Sequence, residues 1–340
     1  MINKKVFKYC VFGGLGFIGS NFIRYILAKY DDCEVFNLDK VTYAANKDNL
    51  KGIDKERYNF IYGDICDSDL VGKILETGEI DIVVNFAAET HVDRSISEPS
   101  VFVKTNVLGV NVLLEAIRKS KVKRFVQIST DEVYGSIEKG EAKEGDVLAP
   151  SSPYSASKAS ADLLCMSHYN TYKSPVVIVR MSNNFGPYQY PEKLVPLFIT
   201  NLIEEKKVPL YGDGMNVREW LYVKDACDAI DYIIENGEDG EIYNVGGDIE
   251  LTNIAITYAI LEGLGKDYSY IEQVNDRPGH DRRYSIDTEK VCKLGWSPKI
   301  DFVDAMSETI GWYKSNNSWW SAIKEKEDYK KYYEKQYKKK

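Results

Sequence analysis

Metal ligands, disulfide pairs and basic surface are all scarce in this chain of 340 residues. Its three histidines, His91, His168 and His280, are too few and too separated to assemble a metal site. Six cysteines (Cys10, Cys33, Cys66, Cys165, Cys227 and Cys292) include no Cys-x-x-Cys pair and follow no secretion signal. Reduced, mostly buried thiols in a cytoplasmic protein are therefore expected. Lys and Arg total 44 against 52 Asp and Glu, a formal net charge of −8. That balance argues against nucleic acid as a general partner, because neutralising phosphates calls for a clustered basic surface. Any anionic ligand must be held by local groups. Lys4, Lys5 and Lys8 precede an apolar stretch, but Gly13, Gly14, Gly16 and Gly19 break it into a turn, unlike a signal peptide. No run approaches the roughly 18 apolar residues of a membrane span, so no membrane partner is expected.

What is present is ordinary globular composition, 44% hydrophobic and 28% charged, enough for one large domain or two lobes. Residues 6–12 form a short apolar run ended by glycines, and Phe17, Phe22, Ile26 and Leu27 then follow helical spacing. That is strand, tight turn, helix. The pattern recurs with strands at 35–38, 59–62, 80–85, 125–129 and 176–180, and helices near 67–76, 99–119 and 153–172. Such alternation predicts an α/β fold, a Rossmann-type doubly wound parallel sheet covered on both faces. After about residue 181, glycine- and proline-containing segments separate shorter apolar runs, as in a smaller C-terminal substrate-binding lobe. The expected division is 1–181 for the first lobe, with 219–245 returning to it, 182–320 mainly for the second, and a charged tail over 321–340. The Lys-, Glu- and Tyr-rich end from Lys324 is expected to be a solvated helix or frayed terminus.

Gly13, Gly16 and Gly19 sit between a strand and a helix, where glycines let backbone approach a pyrophosphate lying on the helix N-terminus. Asp39 lies just past the second strand, about 20 to 26 residues on, where a carboxylate accepts hydrogen bonds from a ribose and repels a 2′-phosphate. This favours NAD over NADP, although Lys40 next door could tolerate the phosphate. Asp64-Ile65 and Phe86-Ala87-Ala88-Glu89 end the third and fourth strands at the carboxyl edge, where open parallel sheets place ligands.

The densest chemistry lies in Ser129-Thr130-Asp131-Glu132, followed by Tyr154 and Lys158. The Tyr-x-x-x-Lys pair shares one helical face, with Pro153 suited to the first turn. An ammonium near a phenol favours the phenolate and brings its pKa down from about 10. A tyrosine so tuned can take a proton from a hydroxyl while hydride leaves the same carbon. Hydride transfer alone has no need of Asp131 and Glu132. Beside a newly formed ketone, however, a base can remove the adjacent C–H and an acid can protonate a departing hydroxyl, which is elimination of water.

These segments resemble the extended short-chain dehydrogenase/reductase family, and within it the branch that dehydrates dTDP-glucose. The resemblance rests on Gly13 to Ser20, Asp39 to Ala44, Gly63-Asp64-Ile65, Asn85 to Ile96, Ser129 to Gly135, Pro153 to Ser160, Ser182 to Gln189, Pro191 to Leu194, Tyr211 to Tyr222 and Arg277 to Tyr284. It implies that Tyr154 deprotonates the glucose 4-hydroxyl with Thr130 bonded to it, Glu132 takes the C5 proton, and Asp131 protonates the departing 6-hydroxyl. It implies NAD contacts from Phe17, Ile18, Asp39, Lys40, Val41, Thr42, Asp64, Ile65, Phe86, Ala87, Ala88, Glu89, Thr90, Thr105, Tyr154, Lys158 and Asn184. Substrate contacts implied are Thr90, Thr130, Asn183, Lys193, Leu194, Pro209, Leu210, Tyr211, Arg218, Asn253, Asp276, Arg277, Pro278, Gly279 and His280. Lys193, Arg218 and Arg277 are cations available for a diphosphate. Phe12 departs from the pattern, since a small hydroxyl residue usually precedes these glycines, and a hydrogen bond that steadies the turn is in question.

A nucleotide-sugar 4-epimerase or decarboxylase shares the glycine turn and the Tyr-Lys pair but has no use for Asp131 and Glu132. Dehydratases of UDP-, CDP- or GDP-linked hexoses remain open on chemistry alone, and only the second lobe's similarity favours deoxythymidine. A noncatalytic NAD-sensing scaffold would not need the five reactive residues together. The resemblance also implies a homodimer through paired helices, among them 99–119 and 153–172.

Overall fold

The computed structural model describes residues 7–276 and 279–337. Six strands alternate with helices through the first half: β1 (Phe7–Phe12), β2 (Cys33–Asp39), β3 (Tyr58–Tyr62), β4 (Ile82–Asn85), β5 (Arg124–Thr130) and β6 (Val176–Met181). Shorter strands follow: β7 (Asn183–Phe185), β8 (Val208–Tyr211), β9 (Val217–Tyr222), β10 (Ile242–Val245), β11 (Glu250–Thr252) and β12 (Ile271–Val274). The main sheet has the order β10-β6-β5-β4-β1-β2-β3, and every pair in it is parallel. The expected α/β architecture is present, with element ends displaced by a couple of residues at most.

Burial explains why these segments pair. β4 and β6 are buried along their whole length, as parallel strands covered on both faces must be. Successive residues serve opposite faces: Val11, Val84, Val126 and Val177 pack into one core, and Cys10, Phe12, Val83, Phe125 and Val176 into the other. The helix Val223–Asn236 precedes β10 and packs beside the helix Phe17–Lys29, with Tyr25 donating to Asp228 at 2.9 Å.

The sheet reverses its winding between β1 and β4, the point where open α/β sheets leave a crevice at their carboxyl ends. Beside that crevice lie two small sheets, β11-β9-β7 and β12-β8. All six cysteines are unpaired, four of them buried.

Two expectations change. The Pro99–Lys119 helix is long and apolar enough to cross a membrane by length and composition, with a mean hydropathy of 1.4. Counting uninterrupted apolar residues hid this, because Lys104, Asn106 and Asn111 punctuate the segment. Its turns over Val103–Gly109 are widened into a π-helix, and Val101, Val103 and Leu108 stand exposed. The C-terminal tail is also only partly solvated: Asp328, Lys330, Lys331 and Lys335 stand exposed, while other residues pack inward. Its helix Glu327–Tyr337 buries Tyr329, whose hydroxyl donates to the Pro191 carbonyl at 2.9 Å.

Candidate active site

The glycine turn sits at the crevice because β1 stops where only glycine fits. Gly13 has a φ of +79°, and a Cβ there would lie 2.6 Å from the Ala87 nitrogen beyond β4. Asn37 and Asp39 steady the turn in place of the hydroxyl residue that Phe12 replaces. The Asn37 amide oxygen accepts from Gly14 N at 3.0 Å, and Asp39 Oδ2 accepts from Leu15 N at 2.9 Å. Phe12 itself is fully buried in the core.

A cleft of ≈ 310 Å³ opens over this turn. One wall carries Gly13, Gly16, Phe17, Ile18 and Gly19, then Asp39, Lys40 and Thr42, Asp64 and Ile65, and Phe86 to Thr90 with Thr105. Val41 does not line it: that residue turns outward at a φ of +54°, its N–H donating to Asp39 Oδ1. Lys40 pairs with Asp64 at 2.8 Å, which holds the ammonium's pKa up and the carboxyl's down. Its charge is thus engaged rather than free for a 2′-phosphate. A glycine turn at a helix N-terminus, a carboxylate at the ribose position and apolar Phe17, Ile18, Ile65 and Ala87 together fit a dinucleotide.

Across the cleft, Thr130 to Glu132 follow β5 directly and enter a 3₁₀ turn over Asp131–Tyr134. Thr130 caps that turn, accepting from Glu132 N at 3.3 Å and donating to Asp131 Oδ1 at 3.1 Å. Asp131 is only 2% exposed, and its Oδ2 has no hydrogen-bond partner among the described residues. Burial, then the neighbouring Glu132 and Glu219, push its pKa well above the usual carboxylate range. A carboxyl so placed holds its proton to higher pH than a solvated one.

Tyr154 and Lys158 arrive on the helix Pro153–Tyr172, opened by a reciprocal Ser152–Ser155 capping box with Pro153 in the first turn. Both line the same cleft as Thr130, Asp131 and Glu132. The expectation that Lys158 lowers the Tyr154 pKa is corrected. Burial and the charges of Glu132 and Asp131 push the phenol up, opposed by the Thr130 hydroxyl. Lys158 instead donates to the Ile128 carbonyl at 2.5 Å, and burial pulls its own pKa down. Beneath them, Asp162 accepts from Ser129 Oγ at 3.0 Å and Arg180 Nε at 2.9 Å, a buried pair that braces strand and helix.

A second cavity of ≈ 150 Å³ shares Glu132, Asn183, Glu192 and Lys193 with the first. Of the residues expected to meet substrate, Thr90, Thr130, Asn183 and Lys193 face the larger cleft, while Leu194, Pro209, Leu210, Tyr211, Arg218, Asn253 and His280 line the smaller. Asn184 also faces the larger cleft, its side-chain amide donating to the Ser182 carbonyl. Lys193 Nζ donates to the Thr90 carbonyl at 3.0 Å. Arg218 lies over the Tyr284 ring at 4.2 Å. Asp276 and Gly279 are not on the wall; Asp276 instead holds His280 Nδ1 at 2.6 Å. Arg277 and Pro278 lie outside the described residues.

A family model described as GDP-mannose 4,6 dehydratase matches residues 10–309. A dTDP-glucose 4,6-dehydratase of Streptomyces niveus is 48% identical over 323 residues, covering 93% of this chain and 96% of that protein. The chain belongs to the dTDP-glucose 4,6-dehydratase family. Among solved structures, the dTDP-glucose 4,6-dehydratase of Streptomyces venezuelae with NAD bound matches with a TM-score of 0.90 at 48% identity, covering 93% of this chain and 99% of that one. UDP-glucose 4-epimerase of Thermotoga maritima shares the fold at a TM-score of 0.85 but only 28% identity, over 91% and 99% of the two chains.

Several residues in or near this dehydratase-family site escaped sequence reasoning. Glu192 is buried, lines both cavities and accepts from the Tyr43 hydroxyl at 2.9 Å. Its only signal was adjacency to Lys193. Glu219, on β9, lines neither cavity but is buried next to Arg218, with its pKa raised to about 7, chiefly by burial. Tyr337 reaches the smaller cavity from the tail. Among the described residues, no group of three or more His, Cys, Asp and Glu side chains is placed to hold a metal.

Proposed function

We propose that this protein is an NAD-dependent hydro-lyase that converts dTDP-glucose to dTDP-4-keto-6-deoxy-glucose. The observation that carries this reading is that Thr130, Asp131 and Glu132 share one cleft with Tyr154 and Lys158. When bound, NAD supplies a cationic nicotinamide that draws the Tyr154 pKa down and accepts the hydride of the sugar's C4, to be returned at C6. Tyr154 takes the proton of the 4-hydroxyl, and Thr130 is the hydroxyl beside it. Glu132 removes the C5 proton, made acidic by the 4-ketone, and Asp131, whose burial favours the protonated form, gives its proton to the departing 6-hydroxyl as water leaves. Glu132 then returns its proton to C5. The proton gained by Tyr154 makes up the one Asp131 gave, so the site ends as it began.

Gly13 to Gly19, Asp39, Asp64 and Ile65, Phe86 to Thr90, Thr105, Lys158 and Asn184 are read as the NAD-binding set. Lys193 and Arg218 are read as the diphosphate cations, and Pro209 to Tyr211, Asn253 and His280 as the nucleoside end. We take residues 1–181 with 219–245 as the cofactor lobe, supported by β10 pairing with β6, and 182–320 as mainly the substrate lobe. Unpaired cysteines and a cofactor and substrate of central metabolism support a cytoplasmic enzyme. The exposed Val101, Val103, Leu108 and Leu163 on neighbouring helices support a homodimer, whose second copy would cover the apolar face of the 99–119 helix.

Incubating the purified protein with dTDP-, UDP-, CDP- and GDP-glucose tests the reading. A 4-keto-6-deoxy product should form fastest from dTDP-glucose, without net NADH. Binding of NAD with no turnover of any nucleotide sugar would overturn it.

A further inference from the structure

The match to the family model ends at residue 309, so the C-terminal helix lies beyond it. That helix is nonetheless built against the substrate side of the site. Tyr329, Tyr332, Tyr333, Gln336 and Tyr337 fall at helical spacing on one face, and each meets the body of the protein or its neighbour on that face. Tyr329 bonds the Pro191 carbonyl next to Glu192 and Lys193. The Tyr332 hydroxyl lies 3.1 Å from His91 Nε2 and 3.4 Å from Asp93 Oδ2. Asn201 donates to the Tyr333 hydroxyl at 3.1 Å. Gln336 Nε2 donates to the Tyr211 hydroxyl at 2.6 Å. Three separate wall segments, around residues 91–93, 191–194 and 211, are thus tied together by one helix.

The tip of the helix enters the smaller cavity. Tyr337 lines it beside Tyr211, the two rings 5.9 Å apart and tilted by 36°. They form a continuous aromatic wall, with Pro209 and Leu210 alongside and Lys193 and Arg218 in the same cavity. Cations near the catalytic carboxyls and an aromatic wall on the same cavity suit a diphosphate followed by a flat base. We infer that Tyr337 is a substrate-binding residue that stacks on the pyrimidine base, and that Gln336 is a positioning residue that holds Tyr211 for the same contact. The inference rests on the proposed nucleotide-sugar substrate.

Steady-state kinetics of Tyr337→Ala, Tyr337→Phe and Gln336→Ala, with the NAD content of each purified variant, test it. Loss of one stacking partner corresponds to about a tenfold rise in KM for dTDP-glucose, with kcat and NAD content unchanged. Tyr337→Phe keeps the ring and should keep the wild-type KM; Gln336→Ala should raise KM less than Tyr337→Ala. An unchanged KM in Tyr337→Ala overturns the inference, as does a loss shared equally by kcat and NAD content, which marks a general structural defect. Wild-type protein inert towards dTDP-glucose would instead strike the functional proposal.

Discussion

The two walls of the site are made differently. The cofactor wall is a row of strand ends: β1, β2, β3 and β4 stop side by side, and their turns are fixed by backbone amides that find partners within that row, as where Gly13 N donates to the Leu38 carbonyl at 2.9 Å and Gly14 N to the Asn37 side chain at 3.0 Å. The substrate wall is assembled by side chains from distant segments, Tyr43 with Glu192, Lys193 with Thr90 and Gln336 with Tyr211. Damage to the first should therefore distort a backbone cradle. Damage to the second should remove single contacts and leave the rest standing.

The largest effects are expected where the walls meet. Tyr154→Phe should cut kcat by about 10³-fold, a typical cost of losing a general base, measured as product formation. Glu132→Gln should stop exchange of the C5 hydrogen with solvent yet still permit partial reduction of bound NAD by dTDP-glucose; undiminished exchange would remove Glu132 from its role. On the cofactor wall, Gly13→Ala puts a Cβ 2.6 Å from the Ala87 nitrogen in a left-handed backbone. It should weaken NAD retention by about 100-fold, seen in the absorbance of the purified protein. On the substrate wall, Lys193→Ala should raise KM about tenfold and leave NAD retention untouched. Were Lys193→Ala to lose NAD as readily as Gly13→Ala, the contrast between the walls would fall.

A separate effect, not confined to either wall, is on stability. Glu219 has its pKa raised to about 7 in the folded chain, against an ordinary carboxylate value near 4.5. The folded form therefore holds a proton that the unfolded form releases between those values. Its contribution is fully present at low pH and is lost as pH rises through 7, by up to about 3 kcal/mol. Buried Asp131 works in the same direction. Urea midpoints should fall between pH 5 and pH 8, and Glu219→Gln should flatten that dependence.

Much of the cofactor wall was legible because its signals are short-range. Gly13, Gly16 and Gly19 lie within one turn, Asp39 ends the next strand, and Tyr154 and Lys158 share a helical face. The hydrogen bond of Lys158 was not legible, because its acceptor is the Ile128 carbonyl on β5, 30 residues back along the chain. The tail was misread for a related reason. Its lysines and glutamates suggested solvent, while its tyrosines recur at helical spacing and needed the His91, Pro191 and Tyr211 segments to give them a place. Glu192 and Glu219 lie in segments that carried the resemblance, but nothing in their spacing marked them as buried.

The sequence by itself determined a parallel α/β sheet, a dinucleotide turn and a five-residue set for proton transfer, since glycine torsions, strand alternation and one-turn helical pairs are decided within a few neighbours. Tertiary structure alone decided which carboxyl is desolvated, where the Lys158 ammonium goes and what closes the substrate cavity. Desolvation and side-chain pairing depend on groups brought together from far along the chain, and those become neighbours only once the sheet has formed.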